Sequence, residues 1–427
     1  MGFLCACQGG ILSRPRPVSG TVNGEHRLWE EKDVNRFSHV GVLVFACATA
    51  VAGPLNPPAG PVTSTGKTLT EVEPRIVLSQ ANTPGDANSV FRIAKPGSYY
   101  LSGNLSVPAG QRGIEIASPG VHIDLCGFEI AGLASSLEGI SVDTGNLTSL
   151  SVRNGQVRQM GGTGVNFNTP NLSGFIVENV TSRDNGGVGI LTGPGAIVRG
   201  CAALGNSSDG IRVGANSIVQ GCIASGQTGA GDGIETGEEC VVVACVANGN
   251  QTLGIRAGVG SVVSACTASD NVNVGIGGNS DCRFVDCVSS RNQSHGFSLS
   301  SRSLIQGCVA NQNVGHGIFA TSANRIEGNL CQGNGAGTGT GSGIRTTASD
   351  NLIHSNQCLG NDIGIDVAVS GSLITGNRCS GNGTSYSIAA GNSIAPIVQA
   401  GTNAVAINGN FAAGTLGSSD PHMNVTY

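Results

Sequence analysis

From Val177 onward the apolar positions of the chain recur on a fixed beat. An aliphatic residue or Phe, two intervening residues and then Cys or Asn stand at Val198/Cys201, Val219/Cys222, Val242/Cys245, Val263/Cys266, Phe284/Cys287, Ile305/Cys308, Ile326/Asn329, Ile353/Asn356 and Ile374/Asn377. Most steps are 21 residues, the exceptions being 23 and 27. Five residues past each Cys or Asn runs a second polar column: Asn206, Gln227, Asn250, Asn271, Asn292, Asn313, Asn334, Asn361 and Asn382. A third column sets Gly before an apolar residue at Ile190, Ile211, Ile234, Ile255, Ile276, Phe297, Ile318, Ile344 and Ile365. Three columns in register define a repeat, and the repeat governs the fold before any local motif does.

Within each period the apolar residues alternate, as in "GIRVG" and "GIETG", which predicts short strands with one buried face. A 21-residue unit of two or three such strands cannot enclose a core alone. Stacked at the ~4.8 Å spacing of paired strands, each inward side chain is buried by its equivalents above and below. The expected fold class is therefore all-β, a parallel β-solenoid. About 12 turns would make a rod ~55–60 Å long.

The columns have physical reasons. An Asn repeated at a bend can pass amide hydrogen bonds from turn to turn and satisfy backbone groups at a tight corner. The Cys column is expected to act as small, soft hydrophobes. Where it gives way to Asn329, a second Cys column opens at Cys331, Cys358 and Cys379, in a slot filled by Ala or Ser in earlier turns. Thiols on neighbouring rungs are close enough to bridge, but parallel side chains in a ladder rarely offer the torsion a disulfide needs. Buried free thiols are expected, with Cys240 and Cys282 the better disulfide candidates. No Cys/His cluster has zinc spacing, and neither a metal nor a cofactor is expected.

Composition agrees with a turn-rich, non-helical fold: 68 of 427 residues are Gly and only 11% are charged. The formal charge is −5 and no lysine follows Lys95, which disfavours nucleic acid as a partner. An apolar run from Gly41 to Ala52, preceded by Arg36, has the form of a secretory signal. It is too short to span a membrane. Cleavage near Ala52, a true start near Val34 and a secreted, periplasmic or cell-surface mature chain are expected; Cys47 in "VFAC" offers a rival lipoprotein reading. Residues 53–66 form a Pro/Gly/Ser/Thr linker. An N-terminal cap over 67–113, the solenoid over 114–395 and a C-terminal tail over 396–427 complete the expected organisation.

The patterns "IxGCxAxxN", "IxGNxCxGN" and "DGI/HGI", with "FRIAKPGSYYLSGNLSVPAG" and "VHIDLCGFEI", resemble the right-handed parallel β-helix family, the pectate-lyase-like superfamily, over residues 90 to 395. The resemblance implies a right-handed coil. It does not imply one activity, because this fold carries lyases, hydrolases, epimerases and adhesins alike.

Candidate chemistry follows the columns. Asp209, Asp232, His316 and Arg345 stand in roughly the order of a polygalacturonase's Asp-Gly, Gly-His-Gly and Arg motifs, but the adjacent Asp pair of that family is absent. Asp209, Asp232, His295 and His316 share one repeat position with Leu253, Val274, Ser342 and Ile363, so a permitted polar variation of the turn competes with a catalytic role. A lyase or epimerase needs a base and neutralisation of a uronate; Asp420 to Met423, "DPHM", resembles the Asp-Pro-His of alginate epimerases but lies in the tail. Arg212, Glu235 and Arg256 should point outward on successive turns, as a salt-bridge ladder or a sugar-acid site. Phe319, with Ser298 and Arg345 in its column, is a candidate sugar-stacking platform. These residues lead to an exported, non-enzymatic or degenerate β-helix with a lateral face for glycans or surface components. The alternative is a polysaccharide-active enzyme using Asp209, Asp232, His295 and His316.

Overall fold

The computed structural model describes residues 72–143, 147–168, 174–335, 339–399 and 420–427. All fall within one compact unit, Thr65–Tyr427, whereas the other, Met1–Ser64, lies outside them. The expected signal sequence, the alternative start near Val34, Cys47 and the linker over 53–66 therefore lie outside the described residues. So do residues 67–71 of the expected cap and 400–419 of the tail.

One period shows how the repeat becomes a coil. The chain runs through Ile190–Thr192, Ile197–Arg199 and Ala202–Leu204, and the next turn starts at Ile211–Val213. Ile190 then pairs in parallel with Ile211, Val198 with Val219 and Ala203 with Ala224. Register follows from the alternation, since a slip by one residue would turn every apolar side chain outward. Among the described residues, the first strands of the turns build a 14-stranded sheet, here the front sheet. The second and third strands join in a 28-stranded back sheet.

The solenoid has about 15 turns rather than the 12 expected. Segments read as caps contribute rungs of their own. Ser89–Ile93 pairs with Arg112–Ile116, and Gly97–Tyr100 with Val121–Asp124. In the tail, Asn424–Thr426 pairs with Ile397–Gln399 and Arg378–Ser380. A rung needs only an alternating apolar strand over its neighbour, and irregular connections hide such strands from a search for a fixed period.

Inside, Ile190, Ile211, Ile234, Ile255, Ile276, Phe297, Ile318, Ile344 and Ile365 are fully buried in one file. Burial of each such side chain stabilises by about 1.5–3 kcal/mol before conformational entropy is counted. At the corners, three ladders of side chains accept the backbone N–H of the preceding turn. In the Asn ladder, the Asn250 backbone N–H and side-chain amide both donate to Asn271 Oδ1, at 3.0 and 2.9 Å. Asn271 repeats this toward Asn292, and its amide also donates to the Ala247 carbonyl at 3.1 Å. In the Cys ladder, Cys245 N–H meets Cys266 Sγ at 3.5 Å and Cys287 N–H meets Cys308 Sγ at 3.4 Å. Cys308 N–H then donates to Asn329 Oδ1 at 2.9 Å. The exchange of Cys for Asn at 329 thus preserves an acceptor, a duty beyond the apolar filling expected of these thiols.

Cys240 and Cys282 belong to the third ladder rather than to disulfides: Ser217 N–H donates to Cys240 Sγ, and Cys240 and Cys282 N–H donate to Ser261 and Ser303 Oγ. The described cysteines are all free, Cys126 exposed and the others buried. Just before the Cys ladder the backbone is left-handed, at Gly200, Gly221 and Gly307 and also at Ala244, Ala265 and Asp286. That conformation makes the corner sharp enough for the next strand to start in register.

Candidate functional site

The front sheet carries the candidate residues on its outer side. The residue after each inward Ile or Phe faces outward, so Arg212, Glu235, Arg256, Gly277, Ser298, Phe319, Arg345 and Asp366 lie rung upon rung. Beside this file runs the position before the column glycine, which includes Asp209, Asp232, Leu253, Val274, His295 and His316. Apart from Asp420 to Met423, the sequence-selected residues therefore share one face, in two groups. Asp232 and His295 are three rungs apart, about 14 Å at the strand spacing.

The first group is a carboxyl cluster closed by arginines. The carboxyl oxygens of Asp209, Asp232 and Glu235 lie within 4.8 Å of one another. Asp209 Oδ1 accepts the Asp232 backbone N–H at 2.7 Å. Asp232 Oδ1 accepts the Leu253 N–H at 2.9 Å and the Thr252 hydroxyl, while its Oδ2 accepts Arg256 Nε–H at 2.5 Å. Arg212 lies 3.2 Å from Glu235 and 3.5 Å from Asp209. The expected ladder of Arg212, Glu235 and Arg256 thus forms at its first step only; Arg256 pairs instead with Asp232. Asp232 is only 3% exposed, and a buried carboxylate gains most from a partner. Guanidinium groups supply the positive charge that a metal ion would otherwise bring to this cluster. Burial raises the Glu235 pKa, the Arg212 charge opposes that shift, and Asp209 reinforces it through its charge and a shared hydrogen bond.

The second group is a stack of rings. His295 lies parallel to His316 and to Phe319, with centroids 4.9 Å apart in both cases, and His316 is 5.9 Å from Phe319. His295 Nδ1 accepts the His316 backbone N–H at 3.0 Å, and His316 Nδ1 accepts the Ser342 N–H at 2.9 Å. Both rings therefore carry their proton on Nε2. Burial lowers the His295 pKa, and burial with the nearby His295 and Arg345 lowers that of His316 to about 4. The two Asp and the two His at this repeat position share one duty: each caps the backbone N–H one turn on. Arg345 pairs with Asp366 at 2.7 Å, a partner one rung on in the same file that sequence reasoning did not select.

Between the groups the surface is apolar and low. Leu253 and Val274 occupy the polar position, and Gly277 stands under Leu253 so closely that an added Cβ would lie 2.7 Å from Leu253 Cδ2. The face thus reads charged cluster, apolar floor, ring stack and ion pair. No curated protein matches the chain. Residues 213–330 match the family model described as "Right handed beta helix region". The solenoid is a right-handed parallel β-helix.

Among solved structures, the β-helix is similar to the A-module of the Azotobacter vinelandii mannuronan C-5 epimerase AlgE6. Identity is 15%, covering 70% of this chain and 90% of that chain, with a TM-score of 0.48. It is also similar to the periplasmic alginate epimerase AlgG (14% identity, 68% of this chain and 76% of that chain, TM-score 0.45) and to the Dettilon tailspike protein (14%, 70% and 60%, 0.35). Among the described residues no helix is long and apolar enough to cross a membrane.

A further hollow lies at the end of the back sheet. It has a volume of about 500 Å³ and is lined by His354, Ser355, Arg378, Met423 and Tyr427, among others. His354 Nε2 lies 2.9 Å from Ser355 Oγ, and the His422 ring is 6.4 Å from that of His354. Of these residues only His422 and Met423, within "DPHM", had been selected from the sequence. The others, His354 with Ser355, Arg378 and Tyr427, share no column that would single them out.

Proposed function

We propose that the protein is an exported β-helix whose front face binds glycans without cleaving them. The observation that carries this reading is the ring stack of His295, His316 and Phe319 beside the apolar floor of Leu253, Val274 and Gly277. In a chain with only 4% aromatic residues, three parallel, half-buried rings on the outer side of the front sheet form a platform for the C–H face of a pyranose. The flanking Arg345–Asp366 and Arg256–Asp232 pairs offer donors and acceptors to its hydroxyls. Reagent roles for the columns are disfavoured by their hydrogen bonds. Asp232 is held by a backbone N–H, a hydroxyl and a guanidinium, and each imidazole spends its Nδ1 on the backbone. Binding to an immobilised glycan panel should fall at least about tenfold in Phe319→Ala, with the thermal midpoint unchanged. Equal binding by that variant would remove the platform.

The back-sheet hollow favours a second reading, a polysaccharide lyase or epimerase. Arg378 would neutralise a uronate there, and His354 and Tyr427 are groups able to move a proton. Turnover of a uronan by the intact protein, abolished in Arg378→Gln, would establish it.

A further inference from the structure

Resting on the glycan-binding reading, we infer that the front face selects glycans that carry no acid groups. Each arginine on the face is already matched. Arg212 lies 3.2 Å from Glu235, Arg256 2.5 Å from Asp232 and Arg345 2.7 Å from Asp366. Asp209 adds a fourth carboxyl group, 3.5 Å from Arg212. From Asp209 to Asp366, three guanidinium groups therefore face four carboxyl groups. Glu238 and Glu239 follow on the adjoining turn, and no lysine occurs after Lys95 to redress the balance. The two imidazoles bring no charge, because burial keeps them neutral.

A uronate or sulfate is recognised by a free guanidinium fork or an ammonium. Here it would meet guanidinium groups whose charge an aspartate or glutamate already balances, and it would lie beside that carboxylate. Asp232 and Asp366 are 3% and 7% exposed, so neither can swing into solvent to make room. A neutral sugar brings no such anion. Its hydroxyls can share the outer edges of the ion pairs and the Nε2–H groups of His295 and His316, while its apolar face lies on Phe319. An amino sugar fits the same chemistry, its ammonium meeting the surplus carboxyl charge.

The test compares the intact protein with Phe319→Ala on an array of neutral, amino, uronic and sulfated oligosaccharides of matched length, and scores only binding that the substitution removes. Such binding should be confined to neutral and amino glycans. Phe319-dependent binding of uronic or sulfated glycans at equal or greater strength would overturn the inference while leaving the glycan-binding reading in place. Absence of any Phe319-dependent binding would overturn both. In Asp366→Asn, which frees Arg345 with little change of shape, Phe319-dependent binding of a uronate oligosaccharide should rise about tenfold. An unchanged affinity would show that ion pairing is not what excludes acids.

Discussion

His316 puts its two ring nitrogens to different uses: Nδ1 accepts the Ser342 backbone N–H and Nε2 carries the proton. Protonation would set an N–H against an N–H. The fold therefore favours the neutral ring, with a pKa lowered from 6.5 to about 4. Between those values the unfolded chain binds more protons than the folded one, so the stabilisation is complete above about pH 6.5 and is lost as pH falls toward 4. We expect a loss of about 1–2 kcal/mol over this interval, discounted for the solvated ring edge. In His316→Asn an amide oxygen that does not titrate takes over the acceptor role, so this share of the pH dependence should vanish. Urea unfolding at pH 7 and pH 4.5 compares the two proteins. The same duty explains why both Asp and His occur at this position, since both offer an acceptor at the same reach.

At the scale of one turn, the glycine before each inward Ile brings the strand against the Asn ladder. A Cβ added at Gly254 would lie 2.6 Å from the Gly275 carbonyl oxygen, 2.7 Å from Asn271 Nδ2 and 2.9 Å from Ala268 Cβ. The first contact is with backbone, which cannot move without breaking the rung. Gly254→Ala should therefore cost about 2–4 kcal/mol, seen as a lower denaturant midpoint, although alanine normally favours folding at an unstrained site. Alternating apolar residues alone would allow a solenoid of many cross-sections; the Gly column and the left-handed corners at Ala244, Ala265 and Asp286 select this one.

Over the whole molecule, the ladders fuse the turns into one hydrogen-bonded body and seal the thiols within it. Neighbouring thiols, with burial, push Cys245, Cys266 and Cys287 up to about 12. A thiolate is needed for alkylation, so these groups should be inert in the native state. Iodoacetamide followed by peptide mapping should label the exposed Cys126 readily and leave the buried Cys222, Cys245, Cys266, Cys287, Cys308, Cys358 and Cys379 unlabelled until denaturant is added. Labelling of Cys266 in the native protein would contradict the sealed ladder. At the far end, Asn424 Oδ1 accepts the Asn377 N–H at 3.0 Å, so the tail segment extends the ladder by a rung.

The repeat by itself determined the solenoid, its register and which residues face in or out, because a period of about 21 residues with alternating strands has one way to bury its apolar file. Arg212, Glu235 and Phe319 were legible as outward, and His295 and His316 as neighbours, for the same reason. Only the tertiary structure decided what those side chains do there. Arg256 chooses Asp232 over Glu235, the imidazoles cap backbone N–H groups, and Asp366 neutralises Arg345. Such choices depend on rotamers, burial and distances of a few ångströms across turns. The back-sheet hollow was illegible because His354, Arg378 and Tyr427 meet only once the tail has been laid beside turns about 50 to 70 residues earlier. A periodic pattern records what every turn shares, and a site is built from what one turn does differently.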